Sequence, residues 1–428
     1  MWEQIRYNQS RSVILIAGIG AIWLLLGFVF GLLASYITPI DRFEGSMYGI
    51  IVASIGWVIM SLVAYFYGDS IILAISKARK IRVGDLHRLY NTVEEMKIAS
   101  GLEIMPYIYI IDDPALNAFA TGGNPNKAAV IVTSGLLAKL NRDELQGVIG
   151  HEIAHIKNRD VLLMSLCTTL LGTMNIATSI FSPKRVLTGS DIPEEGLGCI
   201  LLLLIPILVP ALIGLVIISI AFYIWSSLLI IFLAIPAFML LMPFIAKLIY
   251  FAISRKREYL ADASSALYTR YPEGLASALE KIAASTGQIL AASSATAPIY
   301  IVNPFRERGM SASDITSTHP PISERIRILR SMTHASYADY DRAYRQIRNV
   351  DRGIMPAAAV AAASIVPMRA AIPEDLDHIQ RTRETSNMLW NLNNYRLINC
   401  SCGTRMRLPP KFKYPEVKCP RCGRMNPV

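Results

Sequence analysis

Charge is scarce in this chain. Of 428 residues only 17% are Asp, Glu, Lys or Arg, where a soluble domain carries roughly 25%. With 53% hydrophobic residues, the deficit argues against a wholly soluble protein. Histidine is scarcer still, with six in all, so two in register on one helix carry information. Cysteine is limited to six as well. Cys167 and Cys199 lie in apolar runs, where a thiol behaves as a small hydrophobe, and the other four fall within the last thirty residues. Acidic residues are outnumbered: the formal charge is +10. In so apolar a chain that excess reads as basic loops beside anionic lipid, and no nucleic-acid partner is expected.

What is present in quantity is long apolar sequence. Val13 to Ile37 is too long for a signal-peptide core and lacks a small-residue cleavage site, so a transmembrane helix is expected there, and a second over Met47 to Tyr67. Arg6 and Arg11 precede the first, and Lys77, Arg79, Lys80 and Arg82 follow the second. The positive-inside bias therefore puts the N-terminus and the region after residue 68 in the cytoplasm. Further on, residues 161–182 are uncharged but polar, and 196–246 carry no charge at all. The second stretch is too long for one span and reads as a hairpin turning near Tyr223 and Trp225.

The stretch VIGHEIAHIKNRD (148–160) holds His151-Glu152-x-x-His155. On a helix, residues four apart share a face, so both imidazoles reach one metal, with Glu152 beside them as a base for water. Chance gives this register rarely in a chain with six histidines. Such a site takes a third protein ligand and leaves a position for water. SRKREYLADASSA (254–266) offers Glu258, with Asp262 one turn on to orient a ligand histidine. Alone, that pair would be a solvated face beside Arg255, Lys256 and Arg257; beside the histidines it reads as ligand and orienter. In STHPPISERI (317–326), His319 is stiffened by two prolines and suited to an oxyanion, and Arg325 could pair with an acid or shape the same pocket. If residues near 151 and 258 share one site, an even number of crossings separates them, so one of the three apolar stretches between does not cross. The choice falls on 161–182, the most polar; the alternative is that it spans and half of 196–246, with Pro206, Pro210, Pro236 and Pro243, is re-entrant.

Around the site, a helix over 85–100, a strand over 105–112 and a hairpin over 117–137 are expected, and Asn141 is placed to cap the motif helix with Glu144 three residues on. A short basic helix follows at 322–332, a Pro/Ala-rich linker or Ala-rich helix at 353–373, and a polar helix at 375–394. The chain ends in Cys400-x-Cys402, sixteen residues, then Cys419-x-x-Cys422. Four thiolates at that spacing complete a tetrahedral structural zinc site, with a basic hairpin expected between the knuckles. The alternative, two disulfides, is disfavoured in a reducing compartment.

Taken with NAFATG (117–122), HEIAHIKNRD (151–160), SRKREYLADASSA and THPPISERI, the sequence resembles the HtpX-like membrane zinc metalloproteases, a branch that includes the CAAX prenyl proteases. The resemblance implies a catalytic Zn2+ held by His151, His155 and Glu258, with Glu152 as general base, Asp262 behind the ligands, and His319 and Arg325 as catalytic groups. It also implies that Asn117 and Ala118 begin a substrate-pairing edge strand.

The expected protein is mainly α and multi-pass, with a zincin-type metalloprotease domain, about four transmembrane helices and a C-terminal zinc ribbon. Its expected parts are a membrane hairpin (1–82), the protease domain (83–335) interrupted by a second hairpin at about 198–250, a helix and linker (336–395) and the ribbon (396–428). The expected function is endopeptidase action on membrane or misfolded proteins from the cytoplasmic face of the cell membrane, with one catalytic and one structural zinc. The rival is a non-catalytic membrane scaffold that recruits partners through the ribbon.

Overall fold

The computed structural model describes residues 2–36, 38, 40–82, 84–122, 125–161, 255–285, 292, 296–302, 304, 319–361, 366–373 and 377–428. The apolar stretches expected at 161–182 and 196–246, and the hairpin at about 198–250, lie almost entirely outside these residues.

Two long helices open the chain, α1 (Trp2–Ser35) and α2 (Arg42–Ile75). Asp41 caps α2 by accepting from the Phe43 amide. They pack as a hairpin through glycines spaced four apart. A Cβ on Gly31 would lie 2.1 Å from the Gly45 carbonyl oxygen, and one on Gly49 would lie 2.0 Å from that of Gly27. Small residues at this spacing let two backbones touch where lipid offers no hydrophobic drive for association. The outer surface is apolar: Leu25, Phe28, Ile51, Ile55 and Leu62 are exposed, as helices facing hydrocarbon require.

Helix α2 is long and apolar enough to cross a membrane. Its 34 residues span about 51 Å, against roughly 30 Å of hydrocarbon. Exposed aromatics stand at both ends of its apolar part, Phe43 and Tyr48 at one and Tyr65, Phe66 and Tyr67 at the other. Tyr48 and Phe66 lie about 27 Å apart along the axis, matching the interfacial aromatic belts of a bilayer. The last two turns continue past the belt into the next domain. There Thr121 donates to Asp69 at 3.1 Å and Ile72 is buried.

That domain is built on a four-stranded sheet ordered β1-β2-β4-β3, with β1 Arg79–Lys80, β2 Tyr107–Ile111, β3 Ala118–Thr121 and β4 Ala129–Thr133. Strands β2 and β4 are parallel, with Tyr107 opposite Ala129; β3 runs antiparallel to β4, with Ala118 opposite Val132. Side chains alternate between two cores, as the two-residue period of a strand demands. Ile108, Ile110, Ala118, Val130 and Val132 face the helices, while Ile111, Phe119, Ala129 and Ile131 face Ile72 of α2 and Tyr300. The sheet thus joins the membrane hairpin to the helical layer. That layer comprises α3 (His87–Ser100), α4 (Ser134–Lys139), α5 (Arg142–Lys157), α6 (Arg255–Thr269), α7 (Pro272–Ala284), α8 (Ile322–Arg330) and α9 (Tyr337–Arg348).

In the C-terminal region, residues 353–373, read as a linker or Ala-rich helix, hold a short Ala-rich helix, α10 (Ala357–Ala361), and among the described residues 366–373 an extended strap tied to the domain. Arg369 reaches Asp143 at 2.7 Å, Gln146 at 2.8 Å and the Thr269 carbonyl at 2.9 Å, and the Ile372 amide donates to Asp143. Helix α11 (His378–Leu392) follows, opened by a capping box at Asp377 and Gln380. The last segment forms two hairpins rather than one between the knuckles. β5 (Arg396–Asn399) pairs with β6 (Arg405–Leu408), and β7 (Glu416–Lys418) with β8 (Met425–Pro427). Each hairpin closes on a cysteine pair, because Gly403 and Gly423 adopt positive φ and turn the chain there.

Candidate metalloprotease site

Helix α5 carries the histidines and is fixed at both ends. At its start the Asn141 side chain accepts from the Glu144 amide and Glu144 accepts from the Asn141 amide, both at 2.8 Å. Glu144 also receives Ser277 and Lys281 from α7. At its end Arg159 turns the chain with φ +57°, which brings the Asp160 carboxylate back to His155 Nδ1 at 3.2 Å. Helix α6 crosses α5 at close range. Ser265 Oγ donates to the Gly147 carbonyl at 2.6 Å, and a Cβ on Gly150 would meet that same Oγ at 3.1 Å.

This crossing brings Glu258 under the two histidines. The Nε2 atoms of His151 and His155 are 3.1 Å apart, Glu258 Oε1 is 3.5 Å from His155 Nε2, and Glu258 Oε2 is 3.7 Å from His151 Nε2. A tetrahedral zinc with donors at 2.0–2.1 Å requires edges of roughly 3.4 Å, so the triangle fits the ion. Two further features fit it. Glu258 Oε2 and Glu152 Oε1 are buried without a hydrogen-bond partner, and with both Nδ1 atoms turned to carboxylates the two Nε2 atoms face each other as a pair of donors for one cation.

Each ligand histidine is oriented from behind. Asp262 Oδ1 lies 3.0 Å from His151 Nδ1, and Asp160 serves His155. Such carboxylates fix the tautomer and raise ligand basicity. The sequence reading placed Asp262 in this role and overlooked Asp160, although the Arg159-Asp160 pair just past the helix was its only visible signal. Arg325 is fully buried and grips Asp262 with Nε at 2.8 Å and Nη2 at 2.7 Å, while Nη1 donates to the Ile301 carbonyl at 3.1 Å. It was expected as a catalytic group. Its Nη1 also lies 3.7 Å from Glu258 Oε2 and its Nη2 3.5 Å from His151 Nδ1, so it braces the donor triangle from behind. Tyr340 from α9, also missed, approaches Asp262 Oδ2 at 3.5 Å. His319 Nε2 stands 3.9 Å from Glu258 Oε2, at the mouth of the triangle.

Burial and charge set the proton affinities. Burial pulls the His151 imidazolium down, but hydrogen bonds to Asp262 and Glu258 outweigh it and push the group up to about 9. Burial pushes Glu258 up, yet the His319, His151 and His155 charges hold it well below the usual carboxylate range. Burial favours protonated Glu152 and raises it, the histidines only partly offsetting this. His319 is lowered by burial, against the pull of Glu258. A carboxylate with raised proton affinity beside a cation site can accept a proton from water and return it.

Asn117 and Ala118 lie at the start of β3, the sheet's edge. The Asn117 side-chain Nδ2 donates to the Val302 carbonyl at 2.8 Å, and the Ala118 carbonyl accepts from the Ile301 amide at 2.9 Å. The expected edge is therefore partly covered at these two residues. By strand alternation the next outward-facing backbone is that of Ala120.

At the other end of the chain, Cys400, Cys402, Cys419 and Cys422 are free thiols whose sulfurs lie within 4.8 Å of one another. The pairs Cys400–Cys422 and Cys402–Cys419 are 3.5 and 3.7 Å apart. That is far beyond a disulfide bond and close to the roughly 3.8 Å edge of a zinc–thiolate tetrahedron.

Peptidase family M48 matches residues 84–333, the span that carries every residue of the His/His/Glu site and none of the cysteine cluster. A protease HtpX homolog of Dictyoglomus turgidum is 40% identical over 336 residues, covering 77% of this chain and 94% of that protein. One of Streptococcus uberis is 36% identical over 337 residues, covering 78% and 100%. The crystal structure of S. mikatae Ste24p superposes with a TM-score of 0.33 at 19% identity, over 77% of this chain and 67% of that one, too slight a likeness to bear on the fold. Matching a family over most of its length, with three metal-spaced donors within that match, the chain belongs to peptidase family M48 and is an HtpX-like zinc metalloprotease.

Proposed function

We propose that the chain is a membrane-integrated zinc endopeptidase that hydrolyses peptide bonds of membrane or misfolded proteins at the cytoplasmic face. The observation that carries this reading is the donor triangle of His151, His155 and Glu258 with the unpartnered Oε1 of Glu152 beside it. Zinc held there supplies Lewis-acid polarisation of the scissile carbonyl and of water. Glu152 takes the proton from the attacking water and returns it to the leaving amine, and its raised proton affinity suits both steps. His319 stabilises the developing oxyanion from the mouth of the site. Arg325 and Asp262 hold His151 in register. The substrate backbone adds to the outer edge of β3 at Ala120, with Asn117 and Ala118 fixing the strand that presents it.

Membrane integration is supported by the length of α2, its exposed apolar surface and its two aromatic belts. The cytoplasmic placement is supported by the basic residues that follow α2. The four C-terminal cysteines hold a second, structural zinc.

The test compares the zinc-loaded protein in detergent with its Glu152→Gln variant on an unstructured protein substrate and for self-cleavage. The variant should keep its zinc and lose cleavage by about 100-fold or more. Equal cleavage by both, or none by the zinc-loaded wild type, removes the proposed mechanism.

A further inference from the structure

The C-terminal domain carries a surface that the peptidase chemistry does not use. Residues 396–428 hold eight Lys or Arg and a single acid, Glu416. All eight are exposed, and among the described residues none forms a salt bridge. The loop between β6 and β7 concentrates this character in the sequence Lys411-Phe412-Lys413-Tyr414, where basic and aromatic residues alternate. Both lysines are exposed, Tyr414 is 71% exposed, and its ring meets Phe412 edge-on at 5.6 Å. Nothing in the small core of this domain, formed by Cys400, Met406 and Cys419, needs that aromatic pair.

The position of the domain narrows the partner. Arg79, four residues beyond the end of α2, hydrogen-bonds to Asn393, three residues before β5. The first hairpin is then seated on α11: Arg407 stacks over Trp390 at 5.1 Å and reaches Asn387 at 3.2 Å. The basic domain is therefore tied to the point where the chain leaves the membrane hairpin. Its charge continues that of Lys77, Arg79, Lys80 and Arg82, all exposed.

We propose that this surface binds the anionic lipid headgroups of the same membrane, with Lys411 and Lys413 on the phosphates and Phe412 and Tyr414 at the headgroup level. Aromatic rings flanked by basic side chains suit that layer, where one end of a side chain is apolar and the other wet. Held there, the domain clamps α11, and through it the helical layer, against the bilayer. The proposal rests on membrane insertion of α1 and α2 and is independent of peptidase activity.

The test is hydrogen exchange on the full-length, zinc-loaded protein in nanodiscs. One set contains only phosphatidylcholine, the other also phosphatidylglycerol. Incorporation into either set reads membrane insertion separately. Peptides covering 405–418 should exchange more slowly in the anionic discs, and the difference should vanish in about 1 M salt, where the screening length falls to about 3 Å. Each lysine should alter the surface equilibrium about fivefold, so Lys411→Gln with Lys413→Gln should weaken it about thirtyfold. Zinc content of the variant reports whether the domain stays folded, and the wild-type comparison decides without it. Equal exchange in both discs overturns the proposal. So does protection by a single-stranded oligonucleotide in neutral discs with none from anionic lipid, which would make the surface a nucleic-acid site.

Discussion

Arg325 closes on Asp262 with two parallel hydrogen bonds, at 2.8 and 2.7 Å, and neither residue is exposed to solvent. Buried charges of this kind are costly unless paired. Here the pair has a purpose beyond neutrality, because the same carboxylate orients His151 at 3.0 Å. Arg325→Lys keeps the charge and loses the fork. We expect the zinc affinity of the site to fall about 10- to 100-fold, read by chelator competition, with the affinity of the cysteine cluster unchanged. An unaltered affinity would show that Arg325 serves folding alone.

Asp160 makes the matching contact to His155 from outside the helix. Asp160→Ala should reduce zinc affinity to a similar extent, about 10- to 100-fold. Because the Asp160 carboxylate acts on the site through His155 Nδ1, cleavage per zinc-loaded molecule should stay near that of the wild type. A fall in cleavage at saturating zinc would assign Asp160 a further part in the reaction.

The metal-free protein has a distinctive pH response. His151 is raised from its ordinary 6.5 to about 9, so its interactions with Asp262 and Glu258 stabilise the fold fully below 6.5 and are lost as the pH climbs through 9. The stability advantage of chelated wild type over chelated His151→Gln should therefore shrink between pH 6.5 and 9. Zinc needs the neutral imidazole, so its affinity should rise over the same range, by about tenfold per unit for one displaced proton. Thermal unfolding and zinc titration at matched pH check the two opposite slopes.

The glycine contacts of the membrane hairpin leave no room for a side chain. Gly31→Leu or Gly49→Leu should destabilise the protein in detergent by about 3 kcal/mol or more, at or above the usual range for overpacking. Gly18→Leu is the control, since a Cβ there meets nothing within 4 Å. Thermal unfolding should separate the first two from the third.

The cysteine domain has its own small core, apart from that of the peptidase. Cys402→Ser with Cys419→Ser should therefore open it to limited proteolysis past residue 395 while leaving zinc at the His/His/Glu site. Loss of the catalytic zinc in that variant would mean that the two units fold together.

Much of the local structure was legible in the sequence because local rules decide it. The aromatic and β-branched residues of Tyr107–Ile111 and Ala129–Thr133, the Asn141/Glu144 capping box and the four-residue spacing of His151 and His155 all act within a few residues. The glycine spacing at 27, 31, 45 and 49 was equally local and was passed over, since apolar runs draw attention to their length first. Composition left the segment 353–373 open between a linker and an Ala-rich helix, and a short Ala-rich helix stands at Ala357–Ala361. What holds the segment is Arg369 finding Asp143 and Gln146, more than two hundred residues earlier in the chain.

By itself, then, the sequence determined the helical motif, the kinds of metal donor and the apolar length of α2. Each follows from side-chain chemistry and spacing along one element. The tertiary structure decided that Asp160 returns to His155, that Arg325 forks onto Asp262, that Ile301 covers the Ala118 carbonyl, and that Arg79, just past α2, bonds to Asn393 ahead of the cysteine domain. Those outcomes depend on which distant surfaces pack together. Packing is set by the shapes and charges of whole elements, which no window along the chain contains.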